Sequence, residues 1–499
     1  MVLVGTAIGM ALGLAASVLL VRSVTQSEYG VYSLASVLAG IAAAIATLGL
    51  PEGATRYIAF LRARDDTPRI RGVIFSSLWL SLIASLAVFL VMFFVADVLS
   101  TRVFHNPELA MPLRILSGLI PISVITGVLL AIYRGYDRVD VKVYFQDILK
   151  GAAFLVLLGL VILFGWAFVG AIYAVLASAA IALIALAAYA AKRFPLPAMQ
   201  VGQGASPMGR ELLLFSFPLL VVIMGILVVQ YTGTLMLGYF EDSEAVALYN
   251  AAFPLAQMIL IPLTAMSFIY VPVVSQLYSK GLMDEMKRSY QVLTKWVFFL
   301  SFPIALVLLL FPITTLSFMY GHEYTQAAWA LRILTLGLLF QAFLGVNGLT
   351  LVIMGKPGQF TWAAVVGAVL NVLLNFVLIP RLGITGAALA SVGTYLATNT
   401  YCGIRLYQLS RIQPFTRSYL KPVLASGAAI AVIYAVFTSV FTIQFWMLPL
   451  FLVLFLAVYS LAWILTKSFD SEDIMLLLAI EQRTGIDATA VKNVLRRFI

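Results

Sequence analysis

The chain has 499 residues, of which 63% are hydrophobic and 10% are charged, and its mean hydropathy is +1.04. Because soluble proteins carry about 25% charged residues, this composition excludes a water-soluble protein and indicates a polytopic membrane protein. The net charge of +10 then reflects how Lys and Arg are distributed between loops, and no nucleic-acid partner is expected.

Fourteen apolar segments follow one another, each long enough to cross a bilayer as a helix of about 20 residues. The first begins directly at Met1 without the charged region of a secretory signal, so we interpret it as a retained membrane helix. The connections are too short for a separate soluble domain. The segments lie near residues 1–21, 30–50, 73–100, 113–133, 147–166, 168–191, 212–239, 246–277, 290–319, 327–354, 360–380, 385–409, 420–442 and 445–466.

Basic residues alternate strongly between successive connections. Of the 31 Lys and Arg residues, only Arg22, Arg102, Arg114, Arg332 and Arg381 fall in one set of connections, and the other 26 fall in the opposite set or in the tail. Because Lys and Arg concentrate in cytoplasmic loops, both termini are predicted to be cytoplasmic.

The two halves of the chain carry a weak internal repeat. Tyr32 corresponds to Tyr249 at an offset of 217 residues, and the Leu-Arg-Ile-Leu motif at 113–116 recurs at 331–334 at an offset of 218. Six helices separate the copies, so the halves are predicted to share one orientation. The predicted organisation is an N-terminal six-helix lobe at 1–193, a cytoplasmic linker at 194–211, a C-terminal six-helix lobe at 212–410, helices 13 and 14 at 411–466 and a cytoplasmic amphipathic tail at 467–499.

The sequence lacks the motifs of enzyme chemistry. The only histidines, His105 and His322, have no partner at a metal-binding spacing, and Cys402 is the single cysteine. There is no glycine-rich phosphate loop or nucleophile elbow, and Asp97 and Asp147 lie near the ends of predicted helices. The sequence therefore predicts a protein that is not an enzyme and has no metal or organic cofactor.

Two kinds of polar residue remain as candidates for substrate binding. Gln230, Asn250 and Asn347 lie within predicted helices, where they could line a cavity or form hydrogen bonds between helices. Arginines lie at helix ends, where a guanidinium can bind a phosphate or pyrophosphate through its planar donors, or can anchor the helix at the membrane surface. These arginines are Arg22, Arg56, Arg114, Arg134 and Arg332.

Several motifs resemble a known family. RSVTQSEYGVY at 22–32 and LGLPEGATRY at 48–57 stand early in the chain, YGHEY at 320–324 precedes the second Leu-Arg-Ile-Leu motif, and NVLLN at 371–375 leads into IPRLGITGAA at 379–388. Together they resemble prokaryotic polysaccharide-type flippases of the multidrug/oligosaccharidyl-lipid/polysaccharide exporter superfamily. The likeness spans roughly residues 1–410.

The resemblance implies two six-helix lobes that alternate between inward-open and outward-open states and move a polyprenyl-linked oligosaccharide to the outer leaflet. By motif position it assigns Arg22 and Arg56 to the lipid (pyro)phosphate, with Glu52 beside them. The chain departs from the family in its seventh helix, YTGTLMLG at 231–238, where Gly233 replaces an acidic residue. The role of that acid in the family, whether ion coupling or sugar binding, is therefore in doubt for this chain.

We therefore expect a flippase for lipid-linked oligosaccharides, used in surface polysaccharide or glycoprotein glycan assembly. It is expected to act as a monomer in the plasma membrane of a prokaryote, with Na⁺ or H⁺ as the candidate coupling ion. One alternative is a cation-coupled multidrug exporter of the same fold, and another is a membrane polysaccharide polymerase or ligase, which would need a sizeable outside loop. The candidate substrate-binding residues are Arg22, Glu52, Arg56, Arg114, Gln230, Asn250, Arg332 and Asn347.

Overall fold

The computed structural model describes residues 2–193, 208–414 and 447–465, with isolated positions between 427 and 435, and it is almost entirely helical there. Eleven helices in these ranges are long and apolar enough to cross a membrane, so the predicted all-α polytopic fold is confirmed. Most of the predicted helix at 420–442, the tail at 467–499 and most of the linker lie outside the described residues. The count of fourteen helices therefore stays a prediction.

The chain divides into two compact units, Met1–Asn250 and Ala251–Ile499. The long helix Gly209–Phe240 belongs to the first unit, where it packs against three of the first four helices. The predicted division into six-helix lobes at the 194–211 linker stays a prediction.

The first unit contains ten helices and the start of an eleventh, joined by short turns. They are α1 (Val2–Ser23), α2 (Gln26–Ala46), α3 (Leu50–Arg62), α4 (Thr67–Val98), α5 (Ala110–Ser117), α6 (Leu119–Gly135), α7 (Asp140–Lys142), α8 (Lys150–Leu163), α9 (Ala167–Arg193), α10 (Gly209–Phe240) and the first part of α11 (Ser243–Gln257). A π-helix, Val143–Leu149, makes α7 and α8 continuous.

Helix α3 was not predicted as a separate element. The apolar segment at 30–50 ends at Ala46, and Gly49 then adopts the left-handed conformation (φ 70°) that starts α3, with Pro51 in its first turn. Leu50, Ala54, Ile58 and Leu61 recur at helical spacing and are buried in one hydrophobic cluster with residues of α4, α6 and α10. The opposite face of α3 is therefore free to carry charged residues.

The second unit contains the rest of the described helices. They are α12 (Ile261–Ser279), α13 (Met283–Leu310), α14 (Pro312–Tyr320), α15 (Ala328–Leu344), α16 (Asn347–Ile353), α17 (Pro357–Ser410) and α18 (Met447–Leu465). Breaks at Phe311 and Gly345 divide two of the predicted segments, 290–319 and 327–354, into helix pairs.

Helix α17 is a hairpin of two membrane helices. Gly383 has φ 53° and ψ −131°, which interrupts the helix in its middle. The two arms pack against each other, since Asn371 Nδ2 donates to Thr394 Oγ1 at 3.1 Å and a Cβ at Gly386 would lie 2.6 Å from the carbonyl carbon of Leu378. The separate predicted segments at 360–380 and 385–409 correspond to these arms.

The position of Lys295 differs from the predicted one. It was counted with a cytoplasmic connection, but it lies inside α13 and only 3% of its surface is exposed. The predicted segment began at 290, whereas the helix begins at Met283 and includes the polar residues before that position, with Asp284 and Glu285 in its first turn.

Candidate functional site

Glu52 and Arg56 lie on the exposed face of α3. The Glu52 carboxylate accepts a hydrogen bond from Arg134 Nη2 at 2.9 Å, and Arg134 Nε donates to Thr55 Oγ1 at 3.1 Å. Both members of this ion pair are about half-exposed. Arg134, at the end of α6, therefore neutralises Glu52 and fixes the orientation of α3.

The other arginine of α3, Arg62, is also committed to partners. Its guanidinium pairs with Asp137 and donates to the carbonyl of Gly135 at 3.4 Å. It also lies 6.0 Å from the ring of Tyr136. Burial raises the pKa of the Tyr136 phenol, and the positive charge of Arg62 partly opposes that increase.

Arg56 is the arginine of α3 that no carboxylate neutralises within the described residues. Its guanidinium carbon lies 4.3 Å from the centre of the Phe215 ring on α10, and Tyr57 contacts the same ring edge-on at 5.6 Å. Stacking on an aromatic face leaves the N–H donors, which point outward in the guanidinium plane, able to bind an anion.

The contact that holds Arg56 against α10 is very close. At both Gly49 and Gly53, an added Cβ would collide with Ser216, which is fully buried. Two glycines therefore let α3 lie directly on α10, and Phe215 is the neighbouring residue that supports Arg56.

Arg22 does not join this group. It ends α1, and α2, which follows it, has 21 residues, a length of about 30 Å. Arg56 follows the other end of α2. The two arginines that the resemblance assigned to the lipid (pyro)phosphate therefore lie beyond opposite ends of α2 in the chain.

Arg114 and Arg332 are the paired arginines of the internal repeat. Each lies on a helix that follows a short 3-10 segment, with the flanking leucines of its motif fully buried. Arg114 pairs with Asp97 and lies 5.8 Å from Phe93, whereas Arg332 Nε donates to the Leu309 carbonyl at 3.1 Å. Arg114 is thus neutralised, but Arg332 has no acidic partner in the described residues.

Two of the three candidate amides form helix contacts. Asn250 accepts a hydrogen bond from Thr234 Oγ1 at 3.1 Å and donates to the Val246 carbonyl. Asn347 is buried, donates to the Asn399 carbonyl at 2.8 Å and accepts from the Gly348 N–H. These contacts favour the structural role that the sequence left open. Gln230 is half-buried on α10.

Tyr249 occupies the space next to the position that departs from the family. A Cβ at Gly233 would lie 3.0 Å from the hydroxyl oxygen and 3.1 Å from the ring of Tyr249, which is 1% exposed. The absence of a side chain at Gly233 therefore accommodates a buried tyrosine.

The sequence did not predict the contact of Phe215 with Arg56 or the pairing of Arg134 with Glu52. Phe215 is one of 33 phenylalanines and lies far from Arg56 in the chain, so no local pattern identifies it. The Glu52 pairing had a weak signal, because both connections were assigned to the same side of the membrane.

Comparison with known proteins agrees with this architecture. A family model described as polysaccharide biosynthesis protein matches residues 1–278, more than half of the chain. The chain belongs to the polysaccharide biosynthesis protein family. A second model, described as MatE, matches residues 218–377.

Two curated relatives match shorter stretches. An uncharacterised membrane protein of Methanocaldococcus jannaschii is 29% identical over 185 residues, 36% of either chain. The probable low-salt glycan biosynthesis flippase Agl15 of Haloferax volcanii is 29% identical over 168 residues, 33% of this chain and 35% of that protein. The chain thus spans about a third of the length of the curated relatives it matches.

Solved structures establish the fold. An inward-facing multidrug resistance MATE family transporter of the MOP superfamily has a TM-score of 0.69 at 20% identity and covers 82% of this chain and 99% of its own. The lipid II flippase MurJ in an inward closed conformation has a TM-score of 0.70 at 16% identity and covers 95% of this chain and 99% of its own. The expected superfamily fold is confirmed.

Proposed function

We propose that this polysaccharide biosynthesis family member is a flippase that moves a polyprenyl-(pyro)phosphate-linked oligosaccharide from the cytoplasmic to the outer leaflet. The observation that carries the proposal is Arg56, a cation on the exposed face of a helix inside the family-matched region, with no carboxylate partner among the described residues. The likeness to a probable glycan biosynthesis flippase and to a lipid II flippase supports this substrate class.

The charge balance around α3 explains why Arg56 suits a phosphate. Glu52 and Arg62 are neutralised by Arg134 and Asp137, so Arg56 contributes the uncompensated charge of the helix. A guanidinium already held against an aromatic ring loses little side-chain freedom when it binds a phosphate through two parallel hydrogen bonds. Lysine offers no such planar fork.

The basic-residue asymmetry supports a cytoplasmic position for Arg56 and an outer position for Arg22. Arg56 binds the head group in the cytoplasmic leaflet. Arg22 binds it after the protein has changed to the outward-open state. Arg332, which no acid neutralises within the described residues, is a further candidate in the second unit. Both termini are cytoplasmic, and the membrane is the plasma membrane of a prokaryote.

The test is transport by purified protein in liposomes. A short polyprenyl-pyrophosphate oligosaccharide is supplied, and transfer across the membrane is scored by protection of the sugar from an added glycosidase. Arg56→Gln should abolish protein-dependent transfer, Arg56→Lys should reduce it, and both variants should fold as the wild type.

Arg64→Gln is the matched control. Arg64 is also exposed and stacks on an aromatic ring, with its guanidinium carbon 4.1 Å from the centre of Phe60. It lies in the turn after α3, so its loss should leave transfer unchanged. If Arg56→Gln transfers glycan at the wild-type rate, Arg56 does not bind the phosphate and serves as a membrane-surface anchor.

A cation-coupled multidrug exporter is the second candidate, because the MatE model matches residues 218–377 and a multidrug transporter shares the fold. This alternative predicts ion-driven efflux of cationic dyes by the same liposomes. The glycan flippase, the lipid II flippase and the multidrug transporter that this chain resembles all move substrates across membranes, which supports transport over a polymerase or ligase reaction.

A further inference from the structure

Asp147 differs from the other carboxylates in the described membrane spans. Only Asp97 and Asp147 lie more than one helical turn inside a candidate span, and Asp97 is paired with Arg114. Asp147 is half-buried and has no hydrogen bond or ion pair within the described parts of the chain. An ionisable side chain inside the membrane is costly and is usually functional.

The backbone at Asp147 is irregular. Asp147 lies in the π-helix Val143–Leu149 and is the eighth residue of the candidate span Asp140–Leu163. A π-helical turn contains one more residue than an α-helical turn, which disturbs the regular hydrogen bonds, and such turns are frequent at functional sites. The sequence had placed Asp147 near a helix end, where a charged side chain needs no special role.

Helix α1 crosses directly over Asp147. A Cβ added at Gly9 would lie 2.6 Å from the Cβ of Asp147, and one added at Gly5 would collide with Val143. Only glycine at these positions allows so close an approach. Helix α1 therefore covers the backbone and Cβ of Asp147.

Within the described residues no cation forms an ion pair with the Asp147 carboxylate, and Lys142 is the cation whose charge acts on it. On its own segment it is flanked by Lys142 and Lys150, and α9, which also packs on the π-helix, contributes Tyr189, whose ring lies 5.4 Å from that of Phe145. The part of α1 from Gly5 to Leu12 carries no titratable side chain. The other charged groups at this end of the neighbouring helices are Asp140 with its partner Arg138, Lys192 and Arg193.

We propose that Asp147 is a proton-binding site that couples proton movement to the transport cycle. The carboxylate takes a proton from water and becomes a neutral acid as α1 covers it, and it returns that proton to water when α1 moves away. Because each form favours a different α1 position, protonation shifts the balance between the two positions. The proposal rests on the proposed transport function and names its coupling ion.

A proton fits the site better than Na⁺. A hard cation gathers several oxygen ligands, and no group of three acidic, His or Cys side chains occurs in the described residues. A single carboxylate is enough to hold a proton.

The first test needs no transport substrate. Dicyclohexylcarbodiimide reacts with protonated carboxyl groups in apolar surroundings, and its adducts on the full-length protein are mapped by mass spectrometry at mildly acidic and mildly alkaline pH. We expect an adduct on Asp147 that is lost as the pH rises. We expect none on Asp140, which lies in the same span as Asp147 and pairs with Arg138. An Asp147 that stays unlabelled, or is labelled equally at both pH values, would overturn the proposal.

Two glycine variants test the link to α1. Gly9→Ala should displace α1 and abolish the adduct on Asp147. Gly13→Ala, at a position where an added Cβ meets nothing within 4 Å, should retain it. Equal labelling of both variants would contradict control by α1.

The second test measures glycan transfer in liposomes with and without a pH gradient. In the wild type the gradient should change the rate, whereas in Asp147→Asn the rates with and without the gradient should become equal. If the wild type moves no glycan but Asp147 still shows pH-dependent labelling, the glycan substrate is wrong and the proton site stands. If the wild type moves glycan at a rate that ignores the gradient, the proton site is wrong and the flippase stands.

Discussion

At the scale of the residue, the structure distinguishes arginines that the sequence treats alike. Arg114 is paired with Asp97 and Arg62 with Asp137, whereas Arg56 stacks on Phe215 and has no acidic partner among the described residues. Whether a guanidinium is available to an anion depends on its neighbours in space. These neighbours come from helices that are distant in the chain, so the sequence could name the candidate arginines but could not rank them.

Phe215 is predicted to position Arg56. Loss of a cation–aromatic contact costs about 0.5–1 kcal/mol, so Phe215→Leu should weaken the apparent affinity for the lipid-linked glycan by about two- to fivefold. Phe215→Tyr should retain it. The measurement is the concentration dependence of glycan transfer, with Phe60→Leu as the control for a stacked arginine outside the site. An unchanged affinity in Phe215→Leu would show that Arg56 needs no support.

Gly233 is predicted to be required by the buried Tyr249. An aspartate at this position would press its Cβ against the tyrosine, so Gly233→Asp should lower the free energy of unfolding by about 1–3 kcal/mol. The shift in thermal unfolding of detergent-purified protein measures this cost, and adding Tyr249→Ala should remove much of it. If Gly233→Asp melts like the wild type, the departure from the family has another reason than packing.

At the scale of the element, the long apolar helices and the hairpin of α17 follow directly from the sequence. The predicted segments at 360–380 and 385–409 correspond to the two arms of the hairpin, and the structure shows that Gly383 separates them. The short helices α3, α14 and α16 were not predicted as separate elements, since each follows a turn within or just after an apolar run. Hydropathy detects burial in the bilayer but does not detect a change of direction.

Helix α3 is predicted to depend on Gly49. An alanine there would have to adopt φ 70° and would push its Cβ against the Ser216 carbonyl, so Gly49→Ala should cost about 2 kcal/mol or more. The loss is measured by thermal unfolding together with glycan transfer. Gly40→Ala is the control, because an added Cβ meets nothing within 4 Å at that helical position. Equal stability of the two variants would argue against a tight contact between α3 and α10.

At the scale of the whole molecule, the predicted orientation rests on the distribution of Lys and Arg. With the buried Cys402 replaced by serine, Asp242→Cys should react with an impermeant maleimide added to intact cells. Arg64→Cys should react only after the membrane is opened. Both positions are exposed, so access to the reagent depends on sidedness alone. The reverse labelling pattern would place Arg56 at the outer surface and remove it from the entry step.

Movement of a lipid-linked glycan by this membrane protein can be measured directly. The most direct measurement is glycosidase protection of a polyprenyl-pyrophosphate oligosaccharide in liposomes containing the wild-type protein, with cationic dye efflux recorded in parallel. We expect protein-dependent glycan protection without dye efflux. Ion-driven dye efflux without movement of the glycan would contradict it and would favour a multidrug exporter.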